Sequence, residues 1–453
     1  MIPSVITLTV VIAVAWFILK GYRAEAVLFI AGLVLMLCTW VGGWGKVLPN
    51  SVHSTGVEWL DPFEMIRHLF SSRAASLGLM IMSLMGFAKY MDHIGANEAV
   101  VRVVTRPLRH VKSPYTLLFV AYLIASLLQL AVPSATGLAV LLMGTMFPIM
   151  RALGLSSLSA TGVIATSLGV AYTPTAVDAI RGAEATHMDV VHYVLAYQGP
   201  AALATVLVVG ICHIIWQRYC DAKAGTLPKE KQALNIAKKC EVPTFYAILP
   251  LLPIILAIAS SSLITHRIHL DIITIVFISM AIAMLIEYCK SLDFKKICHD
   301  FNYFLDGMGK AFTSVVCLLV AAGIFAHGIK SIGVIHQLIH FAENVGLPPF
   351  GMAIIFAIVT FVAAVIMGSG NAPFLAFVEL IPQIASSMGA DPVSMILPMQ
   401  QASHMGRGCS PVSGVMIAVS SGAEVSPFSV VKRTAVPLCI GFIFHTIIIA
   451  TFY

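Results

Sequence analysis

A short polar stretch interrupts one of the most apolar parts of this chain. Residues 367–374 read MGSGNAPF and lie between apolar runs at 350–367 and 374–387. Glycine and proline disfavour a helix interior, and hydrocarbon cannot satisfy the backbone groups that they leave without partners. Such backbone is tolerated at membrane depth only where it is buried in protein or lines a cavity. The stretch therefore predicts a re-entrant hairpin whose tip lies at a binding site.

The same pattern occurs in the first half of the chain. An apolar run at 115–132 is followed by the polar residues 133–137 and by a second apolar run at 138–150. Each hairpin precedes a helix that a proline interrupts, and Ser134 and Pro174 are 40 residues apart where Ser369 and Pro411 are 42 apart. Interrupted segments at corresponding positions of two halves are typical of secondary transporters and point to the binding site.

The composition places both halves in a membrane. Apolar residues make up 59% and charged residues 11% of the 453 residues, and the mean hydropathy is +0.93. These values predict an all-α polytopic membrane protein whose N-terminal segment is a spanning helix, since it lacks the cleavage site of a signal peptide. The net charge of +6 does not indicate nucleic-acid binding, because the basic residues fall in short loops between spans. Nine cysteines without a CxxC motif are predicted to be free thiols.

The positions of Lys and Arg orient the chain in its membrane, with both termini predicted to lie on the outer side. This orientation opens the first hairpin to the cytoplasm and the second to the outside, which makes the halves inverted repeats. The first repeat is predicted at 75–217, with a hairpin at about 115–152 and a broken helix at about 157–187. The second repeat is predicted at 308–453, with a hairpin at about 349–388 and a broken helix at about 392–422. The other predicted units are scaffold helices with an outside loop (1–74), a cytoplasmic linker (218–243) and further scaffold helices (244–307).

Two further segments, 93–112 and 329–346, are predicted to be helices that lie at the membrane interface. Arg102, Arg106 and Arg109 share one face of the first segment, which suits lipid headgroups or plain solubilising charge.

Each interruption starts a new helix inside the membrane. Thr173 and Ser410 directly precede prolines, which predicts N-caps with proline at the first helical position. The second arms of the hairpins are predicted to begin near Thr136 and Asn371. Four helix N-termini would then converge, and their N–H donors and partial positive charge favour an anion. The carbonyls freed at the breaks could alternatively bind Na⁺, near Ser134 and Asn371.

Arg407 is the most informative single residue, because it lies inside a predicted span, where arginine is costly. Its guanidinium could bind one substrate carboxylate through two hydrogen bonds. The alternative is a salt bridge to a carboxylate of the protein, such as Asp178 or Glu379.

Other titratable residues flank the breaks. Asp178, Arg181 and Glu184 are spaced three residues apart, which suits an internal ladder of ion pairs or, for Asp178, coupling to an ion or a proton. His404 could titrate near neutral pH or serve only as a packing and hydrogen-bonding residue. The sequence has neither metal-ligand spacing nor a nucleotide-binding loop, so it gives no support to a resident cofactor or to ATP-driven transport.

The motifs around these residues resemble the DcuC family of anaerobic C4-dicarboxylate carriers. The resemblance rests on residues 368–374 (GSGNAPF), 410–414 (SPVSG), 426–434 (SPFSVVKRT), 93–97 (HIGAN), 134–137 (SATG) and 246–250 (YAILP). It implies a scaffold domain that dimerises and a transport domain that holds both hairpins and moves by an elevator mechanism in the lipid bilayer. It also implies succinate, fumarate, malate and aspartate as substrates, moved by exchange or with a coupling cation.

The resemblance also implies the substrate site. The residues carried over by matching motif, with their direct neighbours and Arg407, are Ser134, Ala135, Thr136, Thr173, Pro174, Thr175, Ser369, Gly370, Asn371, Ala372, Arg407, Ser410, Pro411 and Ser413. Asp178 and His404 are the candidates for coupling to H⁺, and Na⁺ is the alternative cation. A carrier of the same architecture for tricarboxylates, short-chain acids or amino acids remains an alternative. An intramembrane enzyme or a channel is disfavoured, because no catalytic pair is present and because inverted broken helices are typical of carriers.

Overall fold

The computed structural model describes residues 2–20, 22–49, 52–106, 108, 113–226, 242–260, 270–333 and 348–453. Within these ranges the regular structure is helical throughout, which confirms the all-α class. Seven of the described helices are long and apolar enough to cross a membrane, as expected of a multi-pass membrane protein. They are Ala24–Gly42, Ala135–Ala152, Val190–Ala224, Ile272–Ser291, Phe294–Ser331, Pro349–Met367 and Pro427–Phe452.

Two long helices pack against each other, and each contains one π-helical segment. We call them the first and second bulged helices. The first consists of Asp61–Arg73, the π segment Ala74–Gly78 and Leu79–His93, and the second of Phe294–Ala311, the π segment Phe312–Val316 and Cys317–Ser331.

Glycines let the two bulged helices approach closely. A methyl group added at Gly307 would lie 2.8 Å from the Cα atom of Gly86, and one added at Gly78 would lie 3.0 Å from Cγ1 of Val316. Residue numbers rise along one helix as they fall along the other, so the pair is antiparallel.

The two predicted hairpins consist of helices that contact each other and are separated by short non-helical tips. In the first hairpin the helices are Pro114–Leu128 and Ala135–Ala152. In the second they are Pro349–Met367 and Asn371–Val378, followed by the short helix Ile381–Ser387.

Both broken helices are interrupted where the sequence places a proline. The first consists of Ser157–Ser167 and Val177–Ala185, and the second of Pro392–Gly408 and Gly414–Gly422. Each is followed by a long helix, which runs over Val190–Ala224 with a π segment at Tyr193–Gln198 in the first half and over Pro427–Phe452 in the second. The second segment of each broken helix packs against a hairpin of the other half of the chain.

The remaining helices are Ile2–Leu19, Ala24–Gly42, Ala96–Thr105, Leu252–Ala259 and Ile272–Ser291, with 3₁₀ turns at Glu58–Leu60 and Thr244–Leu251. The bulged helices run without a break through positions 74 and 307, where the sequence suggested unit boundaries. The helix that ends at Ala224 extends into the predicted linker, most of which lies outside the described residues, as do Arg109 and most of the predicted interfacial segment 329–346.

Candidate functional site

The tip of the first hairpin is held by a serine cap. The Ser134 hydroxyl accepts a hydrogen bond from the Gly137 N–H at 3.2 Å, and the second arm begins at Ala135. Pro133 and Thr175 line the same small cavity, of about 20 Å³. The tip of the first hairpin therefore lies beside the break in the first broken helix.

The tip of the second hairpin depends on one glycine. Gly368 ends the first arm with φ +68°, a conformation that side chains with a Cβ rarely adopt. A methyl group at this position would also lie 2.9 Å from the Val412 carbonyl oxygen. The Ser369 hydroxyl accepts from the Ala372 N–H at 3.3 Å, and the second arm begins at Asn371 as predicted.

The breaks in the two broken helices are β-turns, which corrects the predicted caps. The Ala176 N–H donates to the Thr173 carbonyl at 3.2 Å, and the Ser413 N–H donates to the Ser410 carbonyl at 3.4 Å. Proline therefore occupies the second position of a turn, which its fixed φ suits as well as the start of a helix. The helices begin three residues after each proline, at Val177 and Gly414, so the prediction that Thr173 and Ser410 are N-caps is wrong.

The side chains at the breaks have local roles. The Thr173 and Thr175 hydroxyls lie 3.0 Å apart, and the Ser410 hydroxyl accepts from the Val412 N–H at 3.4 Å. The residue that caps the second segment is Ser413, whose hydroxyl accepts from the Met416 N–H at 3.3 Å.

Both hairpin tips contact the break in the second broken helix. A methyl group at Gly414 would lie 2.7 Å from the Thr136 hydroxyl of the first tip, and one at Gly368 would lie 3.0 Å from the Ser413 nitrogen. Residues 412–414 are therefore common neighbours of the two tips. The first turn of the helix that begins at Gly414, with its N–H donors, therefore adjoins the region where the two tips meet.

A buried carboxylate–imidazole pair links the two halves of the chain. Oδ2 of Asp178 lies 3.0 Å from Nε2 of His404, and the two side chains are 1% and 8% exposed. Gln400 donates to the same carboxylate oxygen at 2.6 Å, and the Tyr193 hydroxyl donates to Gln400 at 2.8 Å. A methyl group at Gly370 would lie 3.4 Å from Nδ1 of His404, so the second ring nitrogen faces the tip of the second hairpin.

Arg407 binds backbone rather than a carboxylate. Its Nη2 donates to the Leu168 carbonyl at 2.6 Å, where the first segment of the first broken helix ends. Asp178 contacts His404, and Glu379 binds other arginines. Both carboxylates that the sequence offered as partners of Arg407 thus have other partners.

Glutamine side chains cover the backbone of the first break. Gln401 donates to the Ala171 carbonyl and accepts from the Ala171 N–H at 3.2 Å. Gln198 donates to the same carbonyl at 3.1 Å, and Gln129 donates to the Ser167 carbonyl at 2.8 Å. These two carbonyl groups of the first break therefore already accept hydrogen bonds from side chains of the protein.

Sequence reasoning missed these glutamines and Tyr193. A signal was present for one adjacent pair, since Gln400 and Gln401 stand inside a predicted span. Burial of amide groups in a membrane helix is costly without partners, which is the same argument that singled out Arg407.

The predicted ladder of Asp178, Arg181 and Glu184 is divided in the structure. Arg181 contacts Glu184, and both belong to a larger cluster with Arg73 and Glu379. Asp178 belongs to the separate pair with His404.

An apolar cavity of about 420 Å³ adjoins the outer side of the second hairpin. It is lined by Met367, Pro373, Leu28 and other apolar residues. A dianion would lose its hydration there without gaining hydrogen bonds, so the cavity does not suit a dicarboxylate.

Comparison with known proteins decides the family. A family model described as "DcuC: C4-dicarboxylate anaerobic carrier" matches residues 2–453. The chain belongs to this family. The sequence resemblance to DcuC carriers is thereby confirmed.

Relatives of this DcuC-family chain are similar over nearly their whole length. It is 42% identical over 451 residues to the anaerobic C4-dicarboxylate transporter DcuC of Escherichia coli K12, which covers 99% of this chain and 96% of the relative. A Vibrio cholerae relative named "Probable anaerobic C4-dicarboxylate transporter DcuC" is 43% identical over 452 residues, covering 100% and 97%. These names are those of transporters, which confirms the non-enzymatic class.

Solved structures support the fold of the DcuC-family chain. The YdaH transporter of Alcanivorax borkumensis matches with a TM-score of 0.65 at 14% identity, over 95% of this chain and 98% of that one. MtrF of Neisseria gonorrhoeae matches with a TM-score of 0.60 at 14% identity, over 96% of each chain. At this identity the likeness concerns the fold alone.

Proposed function

We propose that the protein is a secondary active transporter that moves succinate, fumarate, malate and aspartate across the bacterial inner membrane. Its family and the names of its relatives support the C4-dicarboxylate class. The observation that carries the proposal is the meeting of both hairpin tips at residues 412–414, beside the start of a helix. Helix N-termini favour anions, and a dicarboxylate has two carboxylates to place.

One carboxylate of the substrate is bound by helix N-termini and hydroxyls at Thr136, Ser369, Asn371 and Gly414. Their backbone N–H groups and side chains supply hydrogen-bond donors without a fixed charge. Thr173, Thr175 and Ser410 stabilise the turns at the two breaks beside this site.

The second carboxylate is bound by Arg407. A guanidinium has five N–H donors in a planar fork, and the contact with the Leu168 carbonyl uses one of its terminal nitrogens. Arg407 therefore positions the backbone of the first break while it binds the substrate. The charge of a dicarboxylate makes this interaction stronger than a neutral hydrogen bond.

The two halves act as inverted repeats in an elevator-type carrier. The antiparallel packing of the bulged helices supports this, and so does the spacing of their π segments. Ala74 and Phe312 are separated by the same number of residues as Pro174 and Pro411, to within one residue. The bulged helices belong to a scaffold that dimerises within the lipid bilayer, while the hairpins and broken helices form the moving transport domain. Both termini are periplasmic.

The Asp178–His404 pair is the site for a coupling proton. It combines a carboxylate and an imidazole that are buried, in contact and adjacent to the second tip. Na⁺ near Ser134 and Asn371 is the alternative, but the Ser134 hydroxyl already caps the second arm of its hairpin, and the carbonyls of Ser167 and Ala171 in the first break accept hydrogen bonds from glutamine side chains. The contacts therefore favour H⁺.

Transport into proteoliposomes tests the proposal. The purified protein, loaded with unlabelled succinate, is expected to take up labelled succinate or fumarate, and unlabelled tricarboxylates and amino acids should compete poorly. Arg407→Ala should reduce the flux at least about tenfold, because a hydrogen bond to a charged group is worth about 1.5–3 kcal/mol. Full transport by this variant would remove Arg407 from the site, and inhibition by tricarboxylates alone would favour a different organic-anion carrier.

Replacement of Na⁺ by choline, at two pH values, distinguishes the coupling ions. Uptake that is unaffected by choline but driven by an inward pH gradient is expected. Uptake that requires Na⁺ would contradict the assignment of the proton.

A further inference from the structure

Two arginines and two glutamates form a closed ring of ion pairs, which we call the charge ring. Arg73 contacts Glu184 through Nη1 at 2.8 Å and Glu379 through Nη2 at 3.1 Å. Arg181 contacts the other oxygen of Glu184 and, at 2.5 Å, the other oxygen of Glu379. Each carboxylate thus bridges both arginines, and the four formal charges cancel.

The charge ring joins three parts of the molecule. Arg73 is the last residue before the π segment of the first bulged helix, and Arg181 and Glu184 lie on the second segment of the first broken helix. Glu379 directly follows the second arm of the second hairpin. Of the four residues, Arg73 alone belongs to a bulged helix.

Burial makes the contacts of the charge ring consequential. The side chains of Arg181 and Glu379 are 4% and 11% exposed, and that of Arg73 is 21% exposed. An ion in such a place is costly without its partner, whereas an exposed ion pair contributes little. Loss of Arg73 would leave Glu184 and Glu379 to share Arg181, with one uncompensated negative charge.

Through the second arm of the second hairpin, the charge ring also affects the position of the hairpin tip. The helix Asn371–Val378 runs from the tip to Glu379, so a hold on Glu379 fixes the position of Asn371. A cavity of about 410 Å³ lies beside the ring and is lined by Met80 of the first bulged helix and Met188, which follows the first broken helix. Beside the charge ring, the first bulged helix and the first broken helix are therefore separated by open space.

We propose that Arg73 is a positioning residue that holds the second hairpin against the first bulged helix, and that each transport cycle opens this contact. The Arg181–Glu379 pair travels with the hairpin and the broken helix, while Arg73 stays with the scaffold. This inference rests on the proposed function, because it assumes that the hairpin moves relative to the bulged helices.

Three variants distinguish a positioning role of Arg73 from simple charge neutralisation. Arg73→Gln removes the contact and leaves an excess negative charge. Arg73→Gln combined with Glu184→Gln also removes the contact but leaves the neutral Arg181–Glu379 pair. Arg67→Gln is the matched control, because Arg67 lies on the same helix in an ion pair with Glu64 and its side chain is 68% exposed.

Cross-linking reports the interface without any requirement for transport. Met80→Cys and Met188→Cys are introduced into a full-length protein whose native cysteines are replaced, and a bifunctional thiol reagent is added in proteoliposomes. We expect both Arg73 variants to reduce the cross-linked fraction at least about fivefold, the lower end of typical coupling between two states, and Arg67→Gln to leave it unchanged. Should Arg73→Gln alone insert poorly, the neutral double variant carries the test.

The exchange rate of labelled succinate provides the second readout. The double variant should change the maximal rate several-fold while the half-saturating concentration stays within about twofold, since Arg73 does not touch the substrate. Wild-type cross-linking and wild-type exchange in the double variant would show that Arg73 only neutralises charge and would overturn the inference. Absence of C4-dicarboxylate exchange in the unmodified protein would instead refute the proposed function, and the cross-linking result would still stand.

Discussion

The two broken helices have the same outline but differ in the side chains that they carry. Both contain a turn with proline at its second position, and both resume as a helix three residues later. Residues of the two helices can be matched by their distance from these prolines. At four matched positions the second helix has a polar or charged residue, whereas the first helix has an aliphatic residue at three of them. The four residues of the second helix are Gln400, Gln401, His404 and Arg407, which correspond to Val163, Ile164, Ser167 and Val170.

The contacts explain this difference. Gln401 and Arg407 of the second broken helix reach across to the backbone of the first break, at Ala171 and Leu168. His404 reaches across to Asp178, just after that break. In these contacts the second broken helix supplies side chains, and the first supplies backbone groups and a carboxylate. Duplicated architecture here does not mean duplicated chemistry.

The largest effect is expected at His404, if the second broken helix carries the coupling chemistry. His404→Gln keeps a hydrogen-bonding side chain but cannot take up a proton near neutral pH. We expect uptake driven by a pH gradient to fall at least about a hundredfold, the lower end of what a positioned proton-transfer group contributes, while succinate exchange without a gradient continues. Initial rates of both modes in proteoliposomes provide the measurement.

The counterpart Ser167→Ala is the matched control for His404. The Ser167 hydroxyl donates to the Ile164 carbonyl of its own helix, so both modes should remain close to those of the wild type. A stronger effect at Ser167 than at His404 would reverse the assignment of roles to the two helices.

Gly368 is expected to be the most sensitive backbone position. Gly368→Ala places a Cβ on a residue with φ +68° and 2.9 Å from the Val412 carbonyl oxygen, which belongs to the backbone and cannot rotate away. Strain and overpacking together should cost on the order of 3 kcal/mol and separate the second tip from residues 412–414. Loss of succinate exchange together with a lower unfolding temperature in detergent is expected.

Gly389→Ala separates the effect of backbone strain from the effect of the close contact with Val412. Gly389 also has a positive φ, +67°, but a methyl group there would meet open space. It should show the strain alone, with a smaller loss of stability and normal exchange. Equal effects at both glycines would mean that the contact between the tip and the break is unimportant.

Gln401 tests the support that the second broken helix gives to the first break. Gln401→Leu keeps the size of the side chain but leaves the buried Ala171 N–H without its acceptor, at a cost of about 2 kcal/mol. Thermal unfolding and succinate exchange should both be impaired. Ile164→Val, at the corresponding position of the first helix, removes one methyl group and should cost about 1 kcal/mol with little change in exchange.

The interruptions were predictable from the sequence because they depend on local chemistry. Glycine, proline and small polar residues inside apolar runs have few structural solutions in a membrane, and the helix bounds around both tips follow them closely. The start of the helix after each break was predicted three residues early. Proline at 174 or 411 fits the second position of a turn as well as the first position of a helix, so the motif alone did not decide between them.

The partners of the charged residues were not predictable, since they are distant in sequence. Arg407 and Leu168 are 239 residues apart, and Arg73 and Glu379 are 306 apart. Burial cost indicates that a membrane arginine needs a partner, but it does not say which of several carboxylates or carbonyls will be near. The backbone role of Arg407 and the charge ring emerged only from the packing of the two halves.

The smallest expected effect concerns the N-caps of Val177–Ala185 and Gly414–Gly422, the second segments of the two broken helices. Ser413 caps the segment that begins at Gly414, whereas Ala176 precedes Val177 without a side-chain hydrogen bond. Ser413→Ala should destabilise the protein by about 1 kcal/mol, and Ala176→Ser should stabilise it by a similar or smaller amount, because a serine hydroxyl satisfies one free N–H of the first turn. Thermal unfolding of both variants in detergent measures the difference.

The same two substitutions also test whether the free N–H groups at the breaks serve the substrate. If the first break is left uncapped because a carboxylate binds there, Ala176→Ser should raise the half-saturating concentration of succinate while it stabilises the protein. If only the N-terminus at Gly414 binds the anion, Ala176→Ser should leave that concentration unchanged, and Ser413→Ala alone should alter it. The pair of variants therefore decides whether the two halves contribute equally to anion binding or, as with their side chains, contribute differently.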